Sequence, residues 1–285
     1  MKKKHFSLGM LLVYLFLIFW SLTTIYPIIW VVQNSFKTKD KILSNSFALP
    51  IGELFTLANY KKAFSNLDIF GAYKNSLFIS AVVCVFVVLF AGMAAYALSR
   101  YRFKGSSAIY SLVVASMMFP VYATIIPVFT MEASWGIVNT SSWWLTMLSV
   151  ILPQVAGNLA FAIIVLTGYI KGLPIELEEA AFMEGCNAYQ IFFKVIVPLT
   201  KPSFATVAIF SFLWSYNDLF TQMFFLRRPE MRAITRLLNE LTSQEGTNYG
   251  LMAAAVTLVV VPVVIVYCFL QKYIIKGMTA GAVKG

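Results

Sequence analysis

The chain has 285 residues, 60% of them hydrophobic and only 12% charged, with a net charge of +10. A soluble domain carries about a quarter charged residues, so this composition cannot cover a water-exposed globule, and lipid must solvate most of the chain. The basic residues lie between apolar stretches and at the ends, with no aromatic stacking platform among them, which excludes nucleic-acid binding.

Six stretches long enough to cross a hydrocarbon core of about 30 Å are present. The basic tail Met1–Lys4 precedes the first, residues 9–32. That stretch is too long for the apolar part of a signal peptide and no small-residue cleavage site follows it, so it reads as a retained span. The others run over about 75–98, 108–130, 144–167, 203–226 and 251–270. The pattern predicts an all-α polytopic membrane protein, one domain over residues 1–285, with both termini on one side. Inner segments then carry twelve Lys/Arg and outer loops ten, a weak bias. Orientation is set by Arg100, Arg102 and Lys104 crowding one very short loop, which places the termini in the cytoplasm. Pro27, Pro120, Pro127, Pro153 and Pro262 fall inside spans, where each removes a backbone donor and kinks its helix. Cys84, Cys186 and Cys268 form no C-x-x-C pair, which argues against a zinc site or a disulfide framework. His5, the only histidine, lies in the basic tail and is not a ligand.

The connection over 169–202, YIKGLPIELEEAAFMEGCNAYQIFFKVIVPLTKP, is long where median connections run about 4–6 residues. Pro174 sits where a first helical turn begins, and Glu176, Glu178 and Glu179 favour the positive end of its dipole. Gly185 suits the left-handed end of that helix. Asn187 with Gln190 caps a second helix, whose apolar face is Ile191, Phe192, Val195 and Ile196 and which Pro198 stops. The loop thus reads as two short helices joined at Gly185.

Glu179-Ala180-Ala181, three residues, Gly185, then twelve residues to Pro198 resembles the EAA motif of ABC importer permeases. Val195 and Val197 stand where the family pattern has Ile and Leu. YPIIWVVQNSFKTKD near the start, ALSRYRF after the second span, WSYNDLF in the fifth and the terminal KGMTAGAVKG are similar to the maltose-type carbohydrate permeases, on the six-span side of the pair. That resemblance implies the type I importer permease fold in a bacterial cytoplasmic membrane. It further implies a related second permease, two ATP-binding subunits and an extracytoplasmic solute-binding protein, with a sugar or oligosaccharide as substrate. By the same carry-over, Glu179, Ala180, Ala181 and Gly185 dock on an ATPase subunit, and the tail Lys276–Gly285, within the cytoplasmic segment 271–285, reaches the ATPase pair. The outer loops Gln33–Lys74 and Arg227–Gly250 are the expected contacts of the binding protein.

No G-x-x-x-x-G-K-[ST] phosphate loop occurs, so the chain is expected to be no enzyme and to hold no cofactor, with ATP and magnesium bound by partner subunits. An ion-driven transporter keeps ionisable groups at membrane depth, and the one clear candidate is Asp218, roughly 22 Å into the fifth helix at about 1.5 Å per residue. Trp214, Tyr216 and Asn217 precede it and offer stacking faces and amide bonds to a sugar; an interfacial belt with an interhelical bond accounts for them equally well. An intramembrane enzyme is disfavoured by the lack of a positioned acid–base pair.

Overall fold

A computed structural model describes residues 8–66, 68–244 and 248–282 of the chain, and all its regular elements are helical. The N-terminal basic residues, His5 and the last three residues lie outside the described part. The chain forms two compact units, residues 1–69 with 238–262, and residues 70–237 with 263–285.

The first unit contains α1 (Leu8–Ser35), α2 (Lys39–Ser44) and α3 (Ala58–Asn66). None of the most apolar stretch of α1 is buried within the chain, which leaves it to lipid or to another polypeptide. The expected outer loop after it is organised by polar side chains. Asn59 Nδ2 donates to the carbonyls of Ser35 and Lys37, both at 2.8 Å, and the Ser35 and Tyr60 hydroxyls share a bond of 2.6 Å. Lys37 is fully buried, and its ammonium donates to the carbonyls of Asn45 and Ser46. Burial holds that ammonium below the ordinary lysine range. Phe36 stacks on Phe55 at 5.5 Å beside Tyr60.

The second unit is built on α4 (Ile69–Arg100) and α7 (Trp143–Lys171). Between them lie α5 (Ser106–Ser116) and α6 (Ile125–Ser134). After α7 come α8 (Glu176–Met183), α9 (Ala188–Leu199), α10 (Lys201–Asn217) and α11 (Leu219–Phe225). Buried side chains of α4, α7, α9 and α10, among them Ile79, Val83, Met147, Leu166, Ile196 and Val207, make one continuous core. The chain closes with α12 (Ile234–Gln244) and α13 (Tyr249–Ala282).

Among the described residues four helices are long and apolar enough to cross a bilayer: Leu8–Ser35, Ile69–Arg100, Trp143–Lys171 and Tyr249–Cys268. Three sequence expectations are corrected. The third span is not one helix over 108–130: α5 ends at Ser116, and the chain resumes through a 3-10 turn, Val121–Thr124, before α6. Pro120 stands at this break, since it has no N–H to offer and its ring disfavours helical backbone at Phe119. The fifth span, expected over 203–226, is likewise not one helix: α10 gives way to α11 at Asp218, while the 84° bend between α9 and α10 at Thr200 precedes it. Pro198 does not itself stop the second loop helix, which runs on to Leu199 after a π turn over Phe192–Ile196. The C-terminal segment from 271 continues α13 as helix to Ala282. Pro27, Pro153 and Pro262 remain inside unbroken helices.

The backbone around Lys37 also constrains the start of α13. A Cβ added at Gly250 would lie 2.4 Å from the Lys37 carbonyl oxygen and 2.8 Å from Asn59 Nδ2. Neither neighbour yields readily, because the Asn59 amide already holds two carbonyls. Gly250→Ala is therefore expected to destabilise the chain by about 1–3 kcal/mol, the range of overpacking. A lowered midpoint of thermal unfolding in detergent would show it, with Gly168→Ala, where an added Cβ meets nothing within 4 Å, as the unchanged control.

Candidate functional site

The helix–turn–helix over 176–199 is assembled by its own end chemistry. Three carboxylates occupy the first turn of α8. At its other end Gly185 takes φ +82°, a conformation that costs an L residue about 1–2 kcal/mol and glycine little. The Cys186 N–H bonds the Ala181 carbonyl at 3.0 Å and the Gly185 N–H that of Phe182 at 2.9 Å, the paired closure of a Schellman turn. Asn187 then accepts from the Gln190 N–H at 3.0 Å, while Gln190 Oε1 accepts from the Asn187 N–H at 2.9 Å. The two helix ends that meet at the turn are thereby satisfied locally.

Its side chains divide into two faces. Glu179, Ala180, Phe182, Met183, Gly185 and Tyr189 are exposed, whereas Ala181 packs against the core and Pro198 sits at the surface. Phe182 and Met183 are 68% and 84% exposed, a degree that invites a covering surface. Glu178 points the other way. It is buried, with Oε1 2.5 Å from Arg100 Nε at the end of α4, and its Oε2 accepts from the Tyr96 hydroxyl at 3.1 Å. Arg100 Nη2 also donates to the Leu173 carbonyl at 2.9 Å, in the turn leading into α8. Beside this cluster opens a cavity of about 510 Å³, lined by Tyr101, Ile175, Glu179, Phe182 and Met183 among others. The sequence reading set Glu178 down only as a dipole partner and missed Tyr96 and Arg100. Adjacent residues on a helix point about 100° apart, which lets Glu178 face inward while Glu179 stays exposed, but the spacing does not say which of the two turns in.

The residues grouped around the fifth span separate. Trp214 and Asn217 are exposed, Trp214 meeting Phe161 edge-on at 4.8 Å and Phe210 at 5.7 Å. Tyr216 is buried and stacks on Phe212. Asp218 stands at the helix break, where its Oδ1 accepts from the Thr221 N–H at 3.1 Å and caps α11. Its Oδ2 accepts from Gln154 Nε2 of α7 at 2.9 Å. Gln154 Oε1 accepts in turn from Ser215 Oγ at 2.6 Å. Gln222 Nε2 donates to the Ser215 carbonyl at 3.1 Å, and the Thr235 hydroxyl donates to Gln222 Oε1. Sequence reasoning had no means of finding Gln154, which is 64 residues from Asp218.

Residues 87–280 match the family model described as binding-protein-dependent transport system inner membrane component. The diacetylchitobiose uptake system permease protein NgcG of Streptomyces coelicolor is 32% identical, over 93% of this chain and 86% of its own length. The galactooligosaccharides transport system permease protein GanQ of Bacillus subtilis is 32% identical, over 95% and 94%. The crystal structure of a bacterial ABC transporter that imports the acidic polysaccharide alginate contains a chain of similar fold, with TM-score 0.79, 25% identity, and coverage of 96% of this chain and 99% of that one. An all-helical, multi-pass architecture and a family match over most of its length lead to one conclusion: the chain belongs to the family of binding-protein-dependent transport system inner membrane components.

Proposed function

We propose that this chain is one of two related permease subunits of an ATP-driven importer that carries a sugar or short oligosaccharide across the bacterial cytoplasmic membrane. The observation that carries the mechanism is the self-capped helix–turn–helix with one face anchored in the chain and the other exposed. An exposed apolar pair, Phe182 and Met183, beside the Glu179 carboxylate and a cavity suits an ATP-binding subunit, which the absence of a phosphate loop in this chain requires. The relatives named for oligosaccharide uptake support the carbohydrate. Counting the broken runs over 106–134 and 201–225 as one span each gives six spans, with both termini cytoplasmic and the type I importer fold. A binding protein delivers substrate from outside, a second permease completes the pathway, and the tail from Lys276 reaches the ATPase pair. ATP and magnesium belong to those partner subunits. ATP closing its subunits then draws the coupling helices together, and rigid-body movement of helix groups exposes the path to the other side. Trp214 and Asn217 are the side chains of the fifth span placed to meet substrate, with Tyr216 and Asp218 behind them.

The reading is tested by purifying the tagged chain from its native membrane under conditions that preserve complexes. A second permease and an ATP-binding subunit are expected with it, with hydrolysis stimulated by a sugar-loaded binding protein. Recovery of a lone chain indifferent to ATP would overturn the importer reading.

Two substitutions probe its parts. Nothing lies within 4 Å of an added Cβ at Gly185, so backbone conformation alone decides what is tolerated. Gly185→Asn, which accepts left-handed backbone, should retain most uptake. Gly185→Val, which does not, should lose at least tenfold while the spans still assemble.

The ion-coupled alternative finds no support in the placement of Asp218, whose two oxygens cap a helix and hold Gln154. Asp218→Asn preserves the cap, and a flip of the Gln154 amide with reversal of the Ser215 hydroxyl restores the remaining bonds. Uptake by that variant is expected to stay within about threefold of wild type; a proton relay would lose it entirely.

A further inference from the structure

Building on the coupling role proposed for 176–199, we infer that Tyr96 and Arg100 are positioning residues that join the coupling helix to the second span, making α4 a rod that links α8 to the outer segment 230–234. The ALSRYRF run that ends the second span acquires a role here. The chain ties α8 to α7 through the short turn Gly172–Ile175 and to α9 through the Gly185 turn, neither of which connects it to α4. Arg100 makes that connection. Its guanidinium holds the Leu173 carbonyl in the turn and the Glu178 carboxylate within the helix, and Tyr96, one turn earlier on the same face of α4, holds the second Glu178 oxygen. A lysine has one ammonium and cannot reproduce this fork.

Only 10% of the Arg100 side chain and 9% of that of Glu178 are exposed. A charge pair so far removed from water stays paired, because parting would leave two uncompensated charges.

The other end of α4 is tied with equal definition. Asn75 Nδ2 donates to the Arg232 carbonyl at 3.1 Å, its Oδ1 accepts from Trp143 Nε1 at 3.0 Å, and the Ser76 hydroxyl accepts from the Ile234 N–H at 2.8 Å. From Asn75 to Arg100 is about 37 Å at roughly 1.5 Å per residue, and no proline interrupts the helix. Buried polar ties at both ends of an unbroken helix carry a displacement of α8 to the outer segment, and a displacement of that segment back to α8.

The test uses the assembled transporter in proteoliposomes, with Cys84, Cys186 and Cys268 replaced by serine. Bimane is attached at Glu184→Cys on the exposed end of α8, or at Leu77→Cys, half exposed near the outer end of α4, and MgATP with vanadate is the trigger. In the unmodified joint both reporters shift. In Arg100→Gln the α8 reporter should still shift while the Leu77 reporter falls at least fivefold. Tyr96→Phe, which deletes one hydroxyl and decides the matter if Arg100→Gln does not assemble, should lower the Leu77 shift about twofold. Exchanging the charges with Arg100→Glu and Glu178→Arg should recover part of the loss. An unchanged Leu77 shift in the assembled variants, or equal fading of both reporters, overturns the joint. An α8 reporter silent in the unmodified joint would instead overturn the docking of 176–199 on an ATPase.

Discussion

In hydrocarbon a backbone N–H or C=O has no water to bond, and an unsatisfied group costs several kcal/mol. Every place where this chain stops being a helix within the apolar part must therefore supply substitute partners. The sharp turn at Thr200 keeps the Ile196 carbonyl bonded by both the Thr200 N–H, at 2.9 Å, and its hydroxyl, at 2.6 Å. The break at Asp218 leaves the Ser215 carbonyl at a helix end, and it is met by Gln222 Nε2 and by the Asp218 N–H. Asp218 meanwhile satisfies the opening turn of α11. The polar side chains of the fifth span lie where the ladder is interrupted because they replace it.

The same accounting separates the two regions of functional interest. The helix–turn–helix closes its own ends with short-range bonds and is free to present a surface. The break in the fifth span is closed by residues from α7 and from the segment after α11, so it is bound into the packing of its unit. One region presents an exposed face and the other is enclosed by its neighbours. Glu179 accordingly stands in solvent, whereas Asp218 caps a helix and holds Gln154.

Glu178 and Glu179 show how finely the assignment depends on direction. Their neighbouring positions in the first turn of α8 make them equivalent to a dipole argument, yet one lies against Arg100 in the interior and the other stands in solvent. Helical geometry alone guarantees that they diverge. Which of them turns inward depends on the rotation of α8 against α4, and hence on the core made by Tyr96, Ile191 and Phe192.

The sequence by itself determined the solvent, the helical class and the architecture of the helix–turn–helix over 176–199, because these follow from composition, span length and bonds between residues two to five apart. Gly185, Asn187 and Gln190 act as read, since cap chemistry is complete within a few residues. The four unbroken spans fall close to where apolar length places them, for the same reason. The break at Asp218, the inward turn of Glu178, and the ties Arg100–Leu173 and Gln154–Asp218 were decided only by tertiary structure. Each depends on a partner about 60 or more residues distant, or on a competition between helical continuity and packing against a neighbour, and neither leaves a periodic mark along the chain.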